Sequence, residues 1–266
     1  MLSRTSEKLR KLENWLDLPK IRSLRSSLRI QSGFTIIELL VTISIVALLM
    51  SLMMPGFKAV RESANRIQCS SNLRQLGLAI FSYSTQNGDY LPKTIFDDDQ
   101  TSMPRELMAL TTGDNFLSLN IENQWDGLGL LVCNGNMFLD SPNVLYCPCH
   151  CGSHPSSDFD TAKKLTGARV FGNYHYIGDT NREKQCKRRP ADQSSENPLV
   201  ADGMREKSDV NHRNGANILY GDLSVRFWHD RNLLLRNFML SISDSQPPAQ
   251  IEDTYKNLWK QFERSN

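Results

Sequence analysis

One stretch of the chain has no polar face. From Phe34 to Met54 the sequence reads FTIIELLVTISIVALLMSLMM, 21 residues with a single charge at Glu38. At about 1.5 Å of rise per residue, such a helix crosses the ~30 Å hydrocarbon layer of a bilayer. A buried core helix is also apolar all round. A secretory signal carries a shorter run, roughly 7–15 residues, followed by a small-residue cleavage site. No Ala-x-Ala pattern follows here, and Pro55-Gly56 ends or kinks the run instead. Beyond it the pattern changes. Phe57, Val60, Ala64 and Ile67 recur at helical spacing, and Leu73, Leu76, Ile80 and Tyr83 continue the series with a shift. Lys58, Arg61, Glu62, Arg66 and Arg74 fall mostly between them. The spacing predicts a helix reaching about Ser84, amphipathic in its outer half, broken by Gln86-Asn-Gly-Asp-Tyr-Leu-Pro92. That outer half needs a partner surface, which the rest of the chain must supply.

The remaining sequence offers short elements. Val144–Cys147, Arg169–Ile177 and Pro198–Asp202 read as strands. Asn217–Tyr220 and Ser224–Trp228 flank Gly221-Asp222 and predict a hairpin. Met103–Leu110, Leu128–Cys133, Leu233–Leu240 and Ile251–Phe262 read as helical, the last two separated by Gln246-Pro-Pro. The expected fold class is α+β: a long amino-terminal helix packed on a small antiparallel sheet. The expected divisions are a head over 1–33, an apolar helix over 34–54, its amphipathic continuation over 55–86, and a globular domain over 87–266.

Charge sharpens this division. Residues 1–33 hold eight Lys or Arg and three acids, while the remaining residues are slightly acidic. A basic head before an apolar helix suits membrane contact. A net charge of +2 over the chain gives no case for nucleic-acid binding, and the overall polarity excludes a polytopic membrane protein. Glu38 stands out, because a carboxylate in a spanning segment costs about 2.5–3.5 kcal/mol at mid-helix and needs a partner.

Gly33-Phe34-Thr35-Ile36-Ile37-Glu38-Leu39-Leu40-Val41 resembles the processing site of type IV prepilins and type II secretion pseudopilins. The resemblance implies cleavage after Gly33 and N-methylation of the new terminal Phe34. It also implies a role for Glu38, which neutralises a neighbouring subunit's terminal amine and sets assembly register. Its expected partners are a prepilin peptidase, other pilin-like subunits and the bacterial inner membrane, with secreted cargo on the outer side. The head is then cytoplasmic and the globular part extracytoplasmic. Cys69-Ser-Ser-Asn72-Leu73-Arg-Gln75-Leu76 and Asp89-Tyr90-Leu91-Pro92 are similar to one branch of that family. The same branch carries a carboxy-terminal His-x9-Asp-Gly, here His212 and Asp222 followed by Leu223 instead of glycine. A left-handed residue is costly for leucine, so a different turn is expected there. A His212–Asp222 pair suits a hairpin support better than a catalytic base, since no nucleophile motif accompanies it. No enzyme activity is implied.

Six cysteines occur: Cys69, Cys133, Cys147, Cys149, Cys151 and Cys186. Outside the cytoplasm they are free to form disulfides. Cys147-Pro148 resembles the Cys-Pro of the family branch, and a Cys69–Cys147 bridge tying helix to sheet is the favoured pairing. The rival is a structural zinc site on Cys147, Cys149, His150, Cys151 and His154, although Cys-x-Cys is tighter than the usual Cys-x2-Cys spacing. A calcium site on Asp202, Asp209 and Asp222 is a weaker option, and Asp97-Asp98-Asp99 lacks the spacing of a calcium loop. No resident cofactor is otherwise expected. The alternative to a filament subunit is an uncut, membrane-anchored binding module built around the Cys/His loop.

Overall fold

The computed structural model describes residues 33–97, 103–113, 125–132, 138–150, 152–162, 169–181, 186–212, 214–241 and 248–263. The basic head up to 32, Cys133 and Cys151 lie outside them. The chain divides into two compact units, Met1–Met53 and Met54–Asn266. In the first, the described part is the start of helix α1 (Ile36–Gln86). Residues Ile36–Met54 are long and apolar enough to cross a membrane, and none is buried within the chain.

In the second unit, α1 buries one stripe. Cys69, Asn72, Leu73, Leu76, Ala79, Ile80 and Tyr83 are all buried, at the three- and four-residue steps that keep one helix face inward. The stripe begins later than the sequence pattern predicts. Phe57, Val60 and Ile67 are 63%, 67% and 69% exposed. Here Glu62 and Arg66 face the body instead, Glu62 against His212 and Arg66 over the ring of Phe227 at 4.4 Å. The polar side of the helix finds partners in the body, and the apolar side is left uncovered.

The sheet contains β1 (Tyr174–Tyr176), β4 (Pro198–Asp202), β5 (Gly215–Tyr220) and β6 (Val225–His229), in that spatial order and antiparallel throughout. A separate ribbon pairs β2 (Thr180–Asn181) with β3 (Cys186–Lys187). Alternation sorts β5 between two cores. Leu219 joins the α1 cluster, while Ala216, Ile218 and Tyr220 join α3 (Leu234–Ser241) and α4 (Pro248–Phe262). On β4 the register slips between Pro198 and Val200, so the successive residues Leu199 and Val200 both belong to the α1 core. Helices thus cover the sheet on both faces. A short helix α2 (Ser157–Ala162) precedes β1.

The β5–β6 turn takes a conformation the sequence argues against. Leu223 has φ +62°, a left-handed state that costs a non-glycine residue about 1–2 kcal/mol. Its side chain packs on Gly77 of α1, where an added Cβ would lie 2.9 Å from Leu223 Cδ2 and 3.0 Å from Leu219 Cδ1. Burial of the leucine against a bare helix backbone offsets the strain.

Three other expectations change. Val144–Cys147 is no strand. Pro142–Leu145 forms a 3-10 turn, with the amide of Asn143 donating to Ser141 Oγ, and the Cys147 amide donates to Asn173 Oδ1 rather than to a neighbouring strand. Met103–Leu110 is helical only over Pro104–Glu106, because Ala109 pairs with Phe171 and Leu110 donates to Val170. Gly127–Leu131 is likewise a 3-10 turn.

Asp126 anchors the segment that leaves α1. It accepts from the Thr94 hydroxyl at 2.6 Å and from the Ile95 amide at 2.9 Å. Burial pushes its carboxyl up to about 6, helped by Asp179 and opposed by these hydrogen bonds and by Arg169. The folded chain therefore holds a proton there that the unfolded chain releases near pH 4. This stabilisation is full below pH 4 and is lost as pH rises through about 6. Asp126→Asn removes the dependence. The difference in unfolding free energy, variant minus parent, rises by on the order of 3 kcal/mol from pH 4 to pH 7. Urea titrations at the two pH values measure it, and a difference that stays flat refutes the protonated carboxyl.

Candidate functional site

Two places collect the residues singled out by sequence. The first is the start of α1. Among the described residues no atom lies within 4 Å of where a Gly33 Cβ would stand, and Phe34 is 76% exposed. Thr35 caps the helix, its Oγ1 accepting from the Glu38 amide at 3.3 Å. Glu38 reaches back, and its Oε2 accepts from the Thr35 amide at 2.9 Å and the Thr35 hydroxyl at 2.7 Å. This reciprocal arrangement is a capping box, and it places the acid where the helix dipole favours negative charge. Glu38 therefore has a partner within its own chain.

The second place is the buried ring of His212. Its Nδ1 lies 2.9 Å from Glu62 Oε1, and its Nε2 lies 3.2 Å from Asn217 Nδ2 and 3.5 Å from Asp202 Oδ2. Asp202, at the end of β4, accepts from the Asn217 amide at 2.6 Å and from Asn217 Nδ2 at 3.0 Å. Burial pushes its carboxyl up to about 6, against the opposing pull of His212 and the Asn217 hydrogen bonds. The acids beside His212 are therefore Glu62 and Asp202, not Asp222. Asp222 stays in the β5–β6 turn, accepting from the Ser224 amide and hydroxyl. Asp209 caps another turn by accepting from the Glu206 amide. The three acids considered for calcium thus serve three different local roles.

Sulfur meets this histidine. Cys69 and Cys147 are joined by a disulfide, with Cα atoms 5.5 Å apart. Cys149, outside that bond, has its Sγ 3.1 Å from Cys147 Sγ and 3.8 Å from His212 Nδ1. Ligand atoms of Cys69, Cys147, Cys149 and His212 all lie within 4.8 Å of one another. His150 turns to Asn211, with Nδ1 2.8 Å from Oδ1. The His154 ring lies tilted against that of Phe171, centroids 4.7 Å apart, and its Nε2 is 3.4 Å from Arg205 Nη1. The Cys147-Pro-Cys149 loop thus gathers its neighbours from α1 and from the segment before β5, rather than from its own downstream histidines.

Glu62 and Asn217 are partners of His212 that the sequence does not mark out, and Asp202, considered there only as a calcium ligand, is a third. Glu62 had a signal, since it stands seven residues before Cys69 and so on the same helix face. Asp202 had a fainter one, an acid closing an apolar strand. Asn72, already conspicuous in sequence, is buried and donates to the Tyr146 carbonyl and to the Tyr174 hydroxyl.

Comparison with known families bears on the first of these places. Residues 28–54 match the prokaryotic N-terminal methylation motif. The amino-terminal segment is prepilin-type. Residues 58–126 also match a family described as a protein of unknown function (DUF1559). That match takes in Glu62, Cys69 and Asn72 and ends at Asp126, before the carboxy-terminal His212 segment. No curated protein and no solved structure matches the chain.

Proposed function

We propose that the chain is the precursor of a pilin-like filament subunit, cut after Gly33, methylated on Phe34, and packed through α1 against other subunits. The observation that carries this reading is the uncovered apolar side of α1. Phe57, Val60, Ala64 and Ile67 follow the alternating three- and four-residue steps of a helix–helix seam, and Phe57, Val60 and Ile67 stay exposed. The same steps continue back through Met53, Met50, Val46, Ile43, Leu39 and Ile36, all apolar. A second helix bearing the same seam covers it, in the membrane and beyond it. The head lies in the cytoplasm and residues beyond the apolar segment lie across the inner membrane.

Cleavage also changes the electrostatics. It leaves a positive amine on Phe34, and Glu38 of an adjoining subunit can meet it. Each charge is costly alone in an apolar setting and offset when paired, so the pair favours one stagger over others. The motif is the signature that a prepilin peptidase reads, and this enzyme is the first partner. Whether the filament is a type II secretion pseudopilus or a type IV pilus is a matter of the subunits it joins.

Mass spectrometry of the membrane-bound protein tests the reading. The parent chain is expected to begin at N-methylated Phe34. Gly33→Leu, at a position with open space around it, is expected to begin at Met1. Glu38→Ala is expected to be cut but absent from sheared filaments. A parent chain beginning at Met1 overturns the proposal and favours an uncut anchored binding module.

A further inference from the structure

We propose that the reduced chain binds one zinc ion through Cys69, Cys147, Cys149 and His212. The site and the Cys69–Cys147 disulfide are two alternative states of the same sulfurs. This inference is independent of filament assembly.

The donor set is that of a closed structural zinc site: three thiolates and one imidazole. Tetrahedral zinc with Zn–S of about 2.3 Å and Zn–N of about 2.0 Å sets its donors roughly 3.5–3.8 Å apart. Cys149 Sγ already stands 3.8 Å from His212 Nδ1 and 3.1 Å from Cys147 Sγ. All four donors lie within 4.8 Å of one another. They come from three separate parts of the chain, so one loop does not have to wrap the ion alone. Cys69 stands on α1, Cys147 and Cys149 on one loop, and His212 just before β5. Cys69, Cys147 and His212 are buried and Cys149 is half-buried, which shields the ion from water.

The surroundings fit a ligand histidine. Such a histidine normally has its second ring nitrogen held by a carboxylate, a carbonyl or water. His212 Nε2 faces the Asp202–Asn217 pair, both buried. Nδ1 faces Glu62, whose side chain is 40% exposed. Glu62 is thus the contact that yields, leaving Nδ1 to the metal and Nε2 to its buried partners.

Opening the disulfide admits the ion. A phosphine reductant gives two electrons to the Cys69–Cys147 bond. It takes an oxygen atom from water to become the phosphine oxide, and the two water protons go to the sulfurs. The ion then displaces the thiol protons of Cys69, Cys147 and Cys149 into solvent. Reoxidation of the Cys69–Cys147 thiolates by a small disulfide takes two protons from solvent, returns two equivalents of small thiol and expels the metal.

Cobalt(II) reports the site by its spectrum. The full chain, solubilised in detergent and reduced with the phosphine under anaerobic conditions, is titrated with cobalt. The expected result is one ion per chain, with intense tetrahedral visible bands and thiolate charge-transfer absorption, all bleached by equimolar zinc. Before reduction the chain is expected to give neither band. Cys149→Ser keeps the Cys69–Cys147 bond, which mass spectrometry checks in the oxidised protein. It is expected to lose about a third of the charge-transfer intensity and at least about tenfold in affinity, the lower end of what even outer partners contribute. A Cys133→Ser, Cys151→Ser, Cys186→Ser triple variant is expected to bind as the parent does. Weak octahedral bands, no binding, an unchanged Cys149→Ser spectrum, or loss of the spectrum in the triple variant each overturns the assignment.

Discussion

Replacing both Cys69 and Cys147 by alanine is expected to lower the unfolding free energy of the detergent-solubilised chain by about 4–5 kcal/mol. The two residues are 78 apart in sequence. Closing a loop of that size removes about this much entropy from the unfolded chain in the chain-entropy account. The bond also lies inside the main core, where Cys69 packs among Leu73, Leu76 and Leu145. Alanine keeps the positions apolar, so the loss is that of the cross-link and little else. Both cysteines must go. With Cys69 replaced alone, Cys147 finds Cys149 at 3.1 Å, and a short-range bond of little restraining value replaces the long-range one. Urea unfolding followed by near-ultraviolet dichroism gives the measurement. A loss below about 1 kcal/mol would mean that the unfolded chain keeps the two segments together without the bond.

Phe262→Ala is expected to cost about 3–5 kcal/mol, the usual range for deleting a buried phenylalanine ring. Phe262 is 1% exposed and closes the apolar face of α4, after Tyr255, Leu258 and Trp259. Its ring meets Trp228 edge-on at 5.2 Å and Trp259 at 5.6 Å. Its carbonyl accepts from the Tyr220 hydroxyl at 2.9 Å, a bond that alanine retains. The loss is therefore a cavity between two indoles at the last turn of the helix. For a unit of this size the midpoint should fall by about 10 °C. Tryptophan emission should move to the red in the folded state as water reaches Trp228. An unchanged midpoint would show that α4 contributes little to the sheet it covers.

The sequence was most informative where one physical rule acts alone. An apolar run of 21 residues is legible as a helix because its length and composition leave few other elements that fit. The β5–β6 hairpin was legible because Gly221-Asp222 interrupts two alternating segments. Pro198–Asp202 was legible as a short β-rich run ending before Gly203. Reading failed where a distant partner decides. Phe57, Val60 and Ile67 looked like the start of the buried stripe, and local periodicity cannot tell which side of a helix meets its own body. Val144–Cys147 has strand composition, yet its Val144 amide donates to the Ser141 carbonyl and its Cys147 amide to Asn173 Oδ1. The spacing of His212 points to Asp222, but the acids that reach it stand on α1 and at the end of β4. Leu223 was expected to avoid the left-handed turn, and only the bare backbone of Gly77 explains why it does not.

The cross-link between Cys69 and Cys147 also decides how the second unit bears load. Pulled from its two ends, the chain passes tension through the sulfur–sulfur bond and around residues 70–146. Roughly 260 Å of contour stays slack and out of the force path. The last turns of α1, with Asn72, Leu73, Leu76 and Ile80, belong to that sheltered loop. Force that unravels the helix from its membrane side stops at Cys69. Residues 70–146 extend only when the bond is reduced.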